Sequence, residues 1–329
     1  MTTRRLDIVY ASDILRQLDN VLIVTHVKPD GDALGSALGL WAVMRANMRR
    51  ARVLLPEPLP EKYRELAGGA DYLTEISLEE MQAFDAVIVL DCARADRIAC
   101  GGVSPFPPEG VSMLNIDHHA DNNVPAEWSC VTGDAAATAE LIVRMCVLIG
   151  WKMTPLAASC FLLGIMTDTG SFRYANTSPD TFRTTAYLLE NDAARDRLVN
   201  AVYYTKPRNQ QLFEAEMVRD HSKLDFAGQY AYAVLPDELF AKYDFSMRDG
   251  EMLIELLREI AGVRIAALLY RANGQVKISL RSKDPSCPVG PIARKLGGGG
   301  HELAAGATLS GMTLDEAAEK LRGEVGGIL

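Results

Sequence analysis

Three short, largely apolar runs, Val21 to Val24, Ala86 to Leu90 and Val111 to Ile116, end at chemically active residues: Thr25-His26, Asp91 and Asp117. A strand with one face in water alternates apolar and polar residues, whereas a run without alternation is buried on both faces, as in a parallel sheet covered by helices. Lys28 to Asp32 reads as a turn after the first run, Ala33 to Met48 as a helix and Val53 to Leu55 as the next strand. Helical spacing recurs over Ile8 to Leu18, Ala135 to Ile149, Pro155 to Thr167 and Pro179 to Glu190, with Pro155 at a favourable first-turn position. The expected fold class is α/β, with a parallel-sheet N-terminal domain over residues 1–190.

Polar content rises over residues 191–217, which contain Lys206 to Gln211 and read as the connection to a second domain. Alternation is read over Gln229 to Leu235, Val263 to Tyr270 and Gln275 to Arg281, and helices over Arg248 to Ala261 and Leu314 to Arg322. Residues 218–329 are therefore expected to form a second, smaller α/β domain. A chain of 329 residues is long enough for two domains whose cores need no disulfide or metal staple.

Composition narrows the function. No stretch approaches the ~18 apolar residues of a membrane span, and the first apolar run is too short for a signal-peptide core despite Arg4 and Arg5. A cytoplasmic protein with no membrane partner is expected. Six cysteines, never closer than eight positions apart, offer no C-x-x-C spacing and read as reduced thiols. A formal charge of −9 argues against stable binding of long nucleic acid, which draws on clustered Lys and Arg, while leaving short phosphorylated substrates open.

Candidate chemistry concentrates at the ends of the expected elements. His26, Asp30 and Asp32 follow the first strand, Asp91 and Asp117 end two others, His118 and His119 follow directly, and Asp168 ends a helix. Open α/β sheets place ligand sites at this carboxyl edge. Singly, each residue has an ordinary explanation: turn chemistry for the Asp residues of P-D-G-D, helix capping for Asp91 and Asp117, a solvated loop for the His pair. Jointly they are harder to dismiss, because four of the five histidines (His26, His118, His119 and His301) fall in these segments and only His221 lies outside. Imidazoles and carboxylates without cysteine suit a hard or borderline divalent ion such as manganese.

Segments 26–36 (HVKPDGDALGS), 91–97 (DCARADR), 117–122 (DHHADN) and 164–177 (GIMTDTGSFRYANT) resemble, in order, the four motifs of the DHH phosphoesterase superfamily. Segments 278–282 (ISLRS) and 297–306 (GGGGHELAAG) resemble its DHH-associated C-terminal domain. Size and motif set look most like the NrnA-type branch of bifunctional enzymes that degrade very short RNA and dephosphorylate adenosine 3′,5′-bisphosphate (pAp). One departure is Ala137-Thr138, where relatives often carry Ser-Thr; it bears on a substrate contact more than on the metal site.

The resemblance implies two divalent ions, expected to be manganese. His26, Asp30 and Asp91 would hold one, and Asp32, Asp91, His118 and Asp168 the other, with Asp91 bridging. Such a pair activates water and neutralises charge on a phosphoryl group. It further implies that His119 steadies that group or protonates the leaving oxygen, and that Asp117 orients the neighbouring histidine. In the second domain, Gly297, Gly298, Gly299 and Gly300 would let backbone N–H groups approach a phosphate, helped by Ser279, Arg281 and His301. Arg173 and Tyr174 would line the same cleft. The expected substrates are short RNA oligonucleotides and pAp; a homodimer is compatible. Competing readings are a linear or cyclic dinucleotide phosphodiesterase, an inorganic pyrophosphatase, a RecJ-like exonuclease and a non-catalytic nucleotide-binding module. The glycine–histidine segment disfavours the pyrophosphatase, and the intact set of motif residues disfavours the non-catalytic module.

Overall fold

The computed structural model describes residues 3–59, 63–64, 70, 72–247 and 253–329. The chain divides into two units, Met1–Thr205 and Lys206–Leu329. Residues 191–217 hold two helices, Arg195–Tyr203 and Arg208–Asp220, one on either side of that division. Their polar sequence follows from amphipathicity: the first buries only Leu198, the second Gln210, Phe213, Glu214 and Met217.

In the first unit seven strands form one parallel sheet: β1 (Arg4–Arg5), β2 (Val21–Val24), β3 (Ala51–Leu54), β4 (Tyr72–Leu73), β5 (Ala86–Leu90), β6 (Ser112–Asp117) and β7 (Trp128–Val131). Their spatial order is β1-β7-β6-β5-β2-β3-β4. Strand β2 leads to β3 on one side and β5 lies on the other, so strand order reverses beside β2, and such a switch point opens a crevice at the carboxyl ends of the strands. The absence of alternation in β2 and β5 has a direct cause. Val21, Ile23, Ala86, Ile88 and Leu90 enter one core, and Leu22, Val24, Val87 and Val89 enter another on the opposite face.

Helices α1 (Ile8–Gln17), α2 (Gly31–Ala46), α4 (Thr138–Leu148) and α5 (Pro155–Asp168) supply the first of those cores, and α3 (Leu78–Gln82) contributes Met81 to the second. Helix α2 starts two residues earlier than the sequence suggested. Asp30 is its cap, accepting the Asp32 and Ala33 amides at 3.1 and 3.0 Å, so the expected turn is also a helix start. Helix α2 is buried on nearly all sides, as befits a central helix. Helices α6 (Pro179–Glu190) and α7 (Arg195–Tyr203) complete the unit.

The second unit begins with α8 (Arg208–Asp220) and contains a six-stranded sheet. The strands are β8 (Ser222–Asp225), β9 (Tyr230–Leu235), β10 (Ile265–Ala272), β11 (Gln275–Ser282), β12 (Gly299–Gly300) and β13 (Ala304–Leu309), in the order β12-β13-β11-β10-β9-β8. Only the β9–β10 pair is parallel. Alternation holds in β11, where Val276, Ile278, Leu280 and Ser282 are buried and the residues between them are partly exposed. It fails in β9 and in most of β10, because α8, α9 (Asp237–Tyr243) and α10 (Leu253–Arg258) cover one face while α11 (Gly290–Lys295) and α12 (Leu314–Gly326) cover the other. The expected helix from Arg248 is described from Leu253 onward; its first five residues lie outside the described residues.

Gly298 fixes how closely β13 can approach. A Cβ there would stand 2.0 Å from the Gly306 carbonyl oxygen and 2.6 Å from the Ala307 Cα, both backbone atoms that cannot swing aside. Gly298→Ala should therefore destabilise the second unit by about 1–3 kcal/mol, the usual range for overpacking. Gly299→Ala, where a Cβ meets open space, should be near neutral. Urea melts of the two variants check this, and equal midpoints would contradict it.

Candidate metal centre

Four segments, around residues 26–32, 91, 118 and 168, deliver nitrogen and oxygen donors to the carboxyl edge of the parallel sheet. His26 follows β2 and lies 3.9 Å, through Nε2, from Oδ2 of both Asp30 and Asp91. His118 follows β6, and its Nε2 is 3.4 Å from Asp168 Oδ2 and 3.6 Å from Asp91 Oδ1. Two donor groups result, His26–Asp30–Asp91 and Asp32–His118–Asp168, each with its donor atoms within 4.8 Å of one another. Asp91 approaches both histidines with different oxygens. These are the six residues the sequence singled out as ligands, and the structure brings them together in one unit.

Asp32 and Asp91 are both held by hydrogen bonds. Asp32 accepts the Thr138 and Ala139 amides at 2.7 and 3.0 Å, at the N-terminus of α4, and the Ser36 hydroxyl at 3.2 Å. A helix N-terminus favours a negative charge there. Gly164 of α5 makes room for it, since a Cβ at that position would stand 2.5 Å from Asp32 Oδ1. Asp91 adopts φ of 54°, a left-handed conformation uncommon for a residue with a Cβ, and accepts the Thr138 hydroxyl at 3.0 Å. Thr138 thus touches both carboxylates. The sequence had marked it only as part of a departure from the family pattern, because its contacts depend on where α4 begins.

Burial, and then the charge of Asp91, pushes the Asp32 carboxyl up to about 8. Asp91 is likewise pushed to about 8 by burial and the Asp30 charge. Asp168 is raised by its largely desolvated setting and by Asp32. Carboxylates crowded together out of water are unfavourable unless a cation joins them. The adjacent Cys92 thiol is pushed up to about 11 by burial and donates to the Arg94 carbonyl at 3.2 Å, so it stays protonated. The donor set is imidazole and carboxylate, which fits a borderline divalent ion rather than a thiolate-bound one.

His119 plays a different part. Its Nδ1 donates to Asp117 Oδ1 at 2.7 Å and its backbone N–H to the same oxygen at 3.2 Å. Burial opposes a charge on this ring, but the hydrogen bond and charge of Asp117, with Asp91 and Asp32, overcome it and raise its pKa to about 9. Burial would also raise Asp117, yet the hydrogen bonds from His119 and Asn122 hold it below the usual carboxylate value. Asp117 falls within a third donor group with Asp91, His118 and His119, and its two oxygens accept hydrogen bonds from His119 and Asn122.

Beside His26 a mostly apolar cavity of about 300 Å³ is lined by Pro29, Leu55, Glu57, Ile98 and Cys100, among others. Arg173 is exposed and donates through Nε to the Gly170 carbonyl at 2.7 Å, while Tyr174 packs over Gly170. In the second unit, Ser279 and Gly298 line a groove of about 310 Å³ with Tyr270, Lys277 and Thr308. Arg281 pairs across with Ala304, and His301, exposed, begins the turn between β12 and β13 with its N–H on the Ala304 carbonyl at 2.8 Å. Gly299 and Gly300 form β12 itself.

The chain matches the DHH family N-terminal domain over residues 20–165 and the DHHA1 domain over residues 227–327. It is 33% identical to a bifunctional oligoribonuclease and PAP phosphatase NrnA of Thermus thermophilus, covering 94% of this chain and 90% of that one. Identity to the protein of the same name from Bacillus subtilis is 27%, over 88% and 90% of the two chains. A crystal structure of an exopolyphosphatase-related protein from Bacteroides fragilis superposes with a TM-score of 0.86 at 24% identity, covering 97% of this chain and 95% of that one, and shows the shared fold. The chain belongs to the DHH family, a DHH domain followed by a DHHA1 domain, and is a hydrolase of phosphoester bonds whose buried Asp/His cluster could hold metal ions.

Proposed function

We propose that the enzyme hydrolyses short oligoribonucleotides to mononucleotides and converts pAp to AMP in the cytoplasm, with two manganese ions. The observation that carries this reading is the pair of donor groups joined through Asp91, in a chain whose relatives bear oligoribonuclease and PAP phosphatase names. His26, Asp30 and Asp91 would hold one ion; Asp32, Asp91, His118 and Asp168 would hold the other. When bound, the ions supply an activated water and neutralise charge on the phosphoryl group.

The remaining work falls to the chain. His119, protonated at neutral pH and held by Asp117, steadies the phosphoryl oxygens or gives a proton to the leaving oxygen. The apolar cavity beside His26 takes a base of the substrate, with the Glu57 carboxylate as an acceptor for base N–H groups. In the second unit, Arg281 and His301 are phosphate-binding groups, as is the groove lined by Ser279 and Gly298.

Turnover of pAp, a 3-mer RNA, a 24-mer RNA, a cyclic dinucleotide and pyrophosphate, each with manganese, tests this. We expect pAp and the 3-mer to be hydrolysed and kcat/KM for the 24-mer to be lower by about tenfold or more, because an acidic chain offers little electrostatic grip on a long strand. Equal rates on both RNAs would replace the reading with a long-strand exonuclease. Hydrolysis of dinucleotides with none of pAp would favour the dinucleotide branch.

A further inference from the structure

Asn122 lies outside the six ligand positions and outside the His119–Asp117 pair, yet its buried side chain has every hydrogen-bonding position filled. Its Nδ2 donates to Asp117 Oδ2 and, at 2.9 Å, to the Cys92 carbonyl. Its Oδ1 accepts the Val124 amide at 3.0 Å and Asn115 Nδ2 at 3.1 Å. Rotating the amide by half a turn would set its N–H groups against two donors, so the network admits one orientation.

Those contacts join the ends of two neighbouring strands. Cys92 directly follows Asp91, the residue in the left-handed conformation, and the next residue along, Asn123, donates its N–H to the Ala93 carbonyl at 2.9 Å. Asp117 ends β6 and takes His119 Nδ1. One amide therefore braces the turn that carries Asp91 and, through Asp117, the ring of His119. A backbone conformation that costs about 1–3 kcal/mol persists only where its surroundings over-determine it, and Asn122 is part of what does so here.

We propose that Asn122 is a positioning residue, holding Asp91 in register for metal binding and the Asp117–His119 pair in register for phosphoryl transfer. The second half rests on the phosphoesterase reading above; the first half concerns metal binding alone. The test uses Asn122→Ala in the full chain, with Asn115→Ala as the control. That control removes a donor to Asn122 Oδ1, leaving both of the Asn122 N–H groups in place.

Manganese affinity is read by titration calorimetry on metal-stripped protein, and kcat and KM on pAp at saturating manganese. We expect Asn122→Ala to weaken manganese binding by about 10-fold or more, as loss of groups that orient ligands does. We also expect kcat to fall by about 10–100-fold while KM changes less than about twofold, an interaction made only in the transition state. Asn115→Ala should keep wild-type affinity and kcat. Unchanged affinity in Asn122→Ala would overturn the Asp91 half, and unchanged kcat the His119 half. Equal losses in both variants would overturn the proposal in favour of a general stabilising network, as would losses that merely track an equal drop in melting temperature. A wild type that binds manganese but leaves pAp intact would instead strike at the proposed function, and the affinity comparison would still stand.

Discussion

Asp91→Asn should abolish turnover and leave a chain that is, without metal, more stable than the wild type. The substitution removes the one carboxylate that lies 3.9 Å from His26 and 3.6 Å from His118, and with it a ligand charge from both donor groups. Loss of groups that merely orient ligands costs about 10–100-fold in activity or affinity, so loss of a shared ligand should exceed that range. Stability moves the other way. The Asp91 carboxyl is buried against Asp30 and Asp117, whereas a neutral amide relieves that crowding and its oxygen can still accept the Thr138 hydroxyl. Melting curves in chelator and kcat on pAp in excess manganese check both halves. Activity above about a hundredth of wild type would end the shared-ligand account.

Manganese should raise the melting temperature strongly, and more at pH 8.5 than at pH 6.5. Asp32 and Asp91 are pushed up to about 8 in the folded, metal-free chain, and Asp168 is also raised, against about 3.9 when unfolded. Across that interval the folded chain binds more protons than the unfolded one. The stability these groups contribute is thus full below about pH 4 and lost as pH rises through their folded values. Metal binding needs the deprotonated carboxylates, so the cation relieves most repulsion where most has accumulated. One ion at 1,000 times its Kd contributes about 4 kcal/mol, or roughly 10 °C for a domain of this size. Scanning calorimetry at the two pH values, with Asp91→Asn for comparison, provides the measurement. A manganese shift that is equal at both pH values, or smaller at pH 8.5, would contradict the argument.

How much of this was visible in the sequence depended on how local the cause is. Strands β2, β5 and β6 were legible because burial on both faces removes alternation over four to six residues. Strands β1 and β4, two residues each, carry too few positions for any pattern, and they exist because neighbours supply hydrogen bonds, as Trp128 and Ser129 do for Arg4 and Arg5. Strand β7 was missed for a related reason: in Trp128-Ser129-Cys130-Val131 only the two middle residues are buried. The pattern of β9 was misread because residues from distant helices decide whether its second face is wet. At the site, the residue types of the six donors stood out. The parts played by Thr138 and Asn122 did not, since each acts through contacts that only the assembled strand ends create.

The route by which the donors arrive, from His26 to Asp168 by way of three adjacent strands and two helices, also bears on the order of events as the chain folds. Every strand pairing in that sheet is non-local, and β1 pairs with β7 across more than a hundred residues of intervening chain. Such topologies fold slowly, because distant segments must meet before any contact rewards them. A complete donor set therefore exists only once nearly all of the first unit is in place, and a cation has no preformed cage in which to nucleate the process. Interactions formed after the transition state leave the folding rate alone and slow unfolding. On the proposed two-ion reading, the ions would act as a late-closing latch, prolonging the life of the native state rather than hastening its arrival.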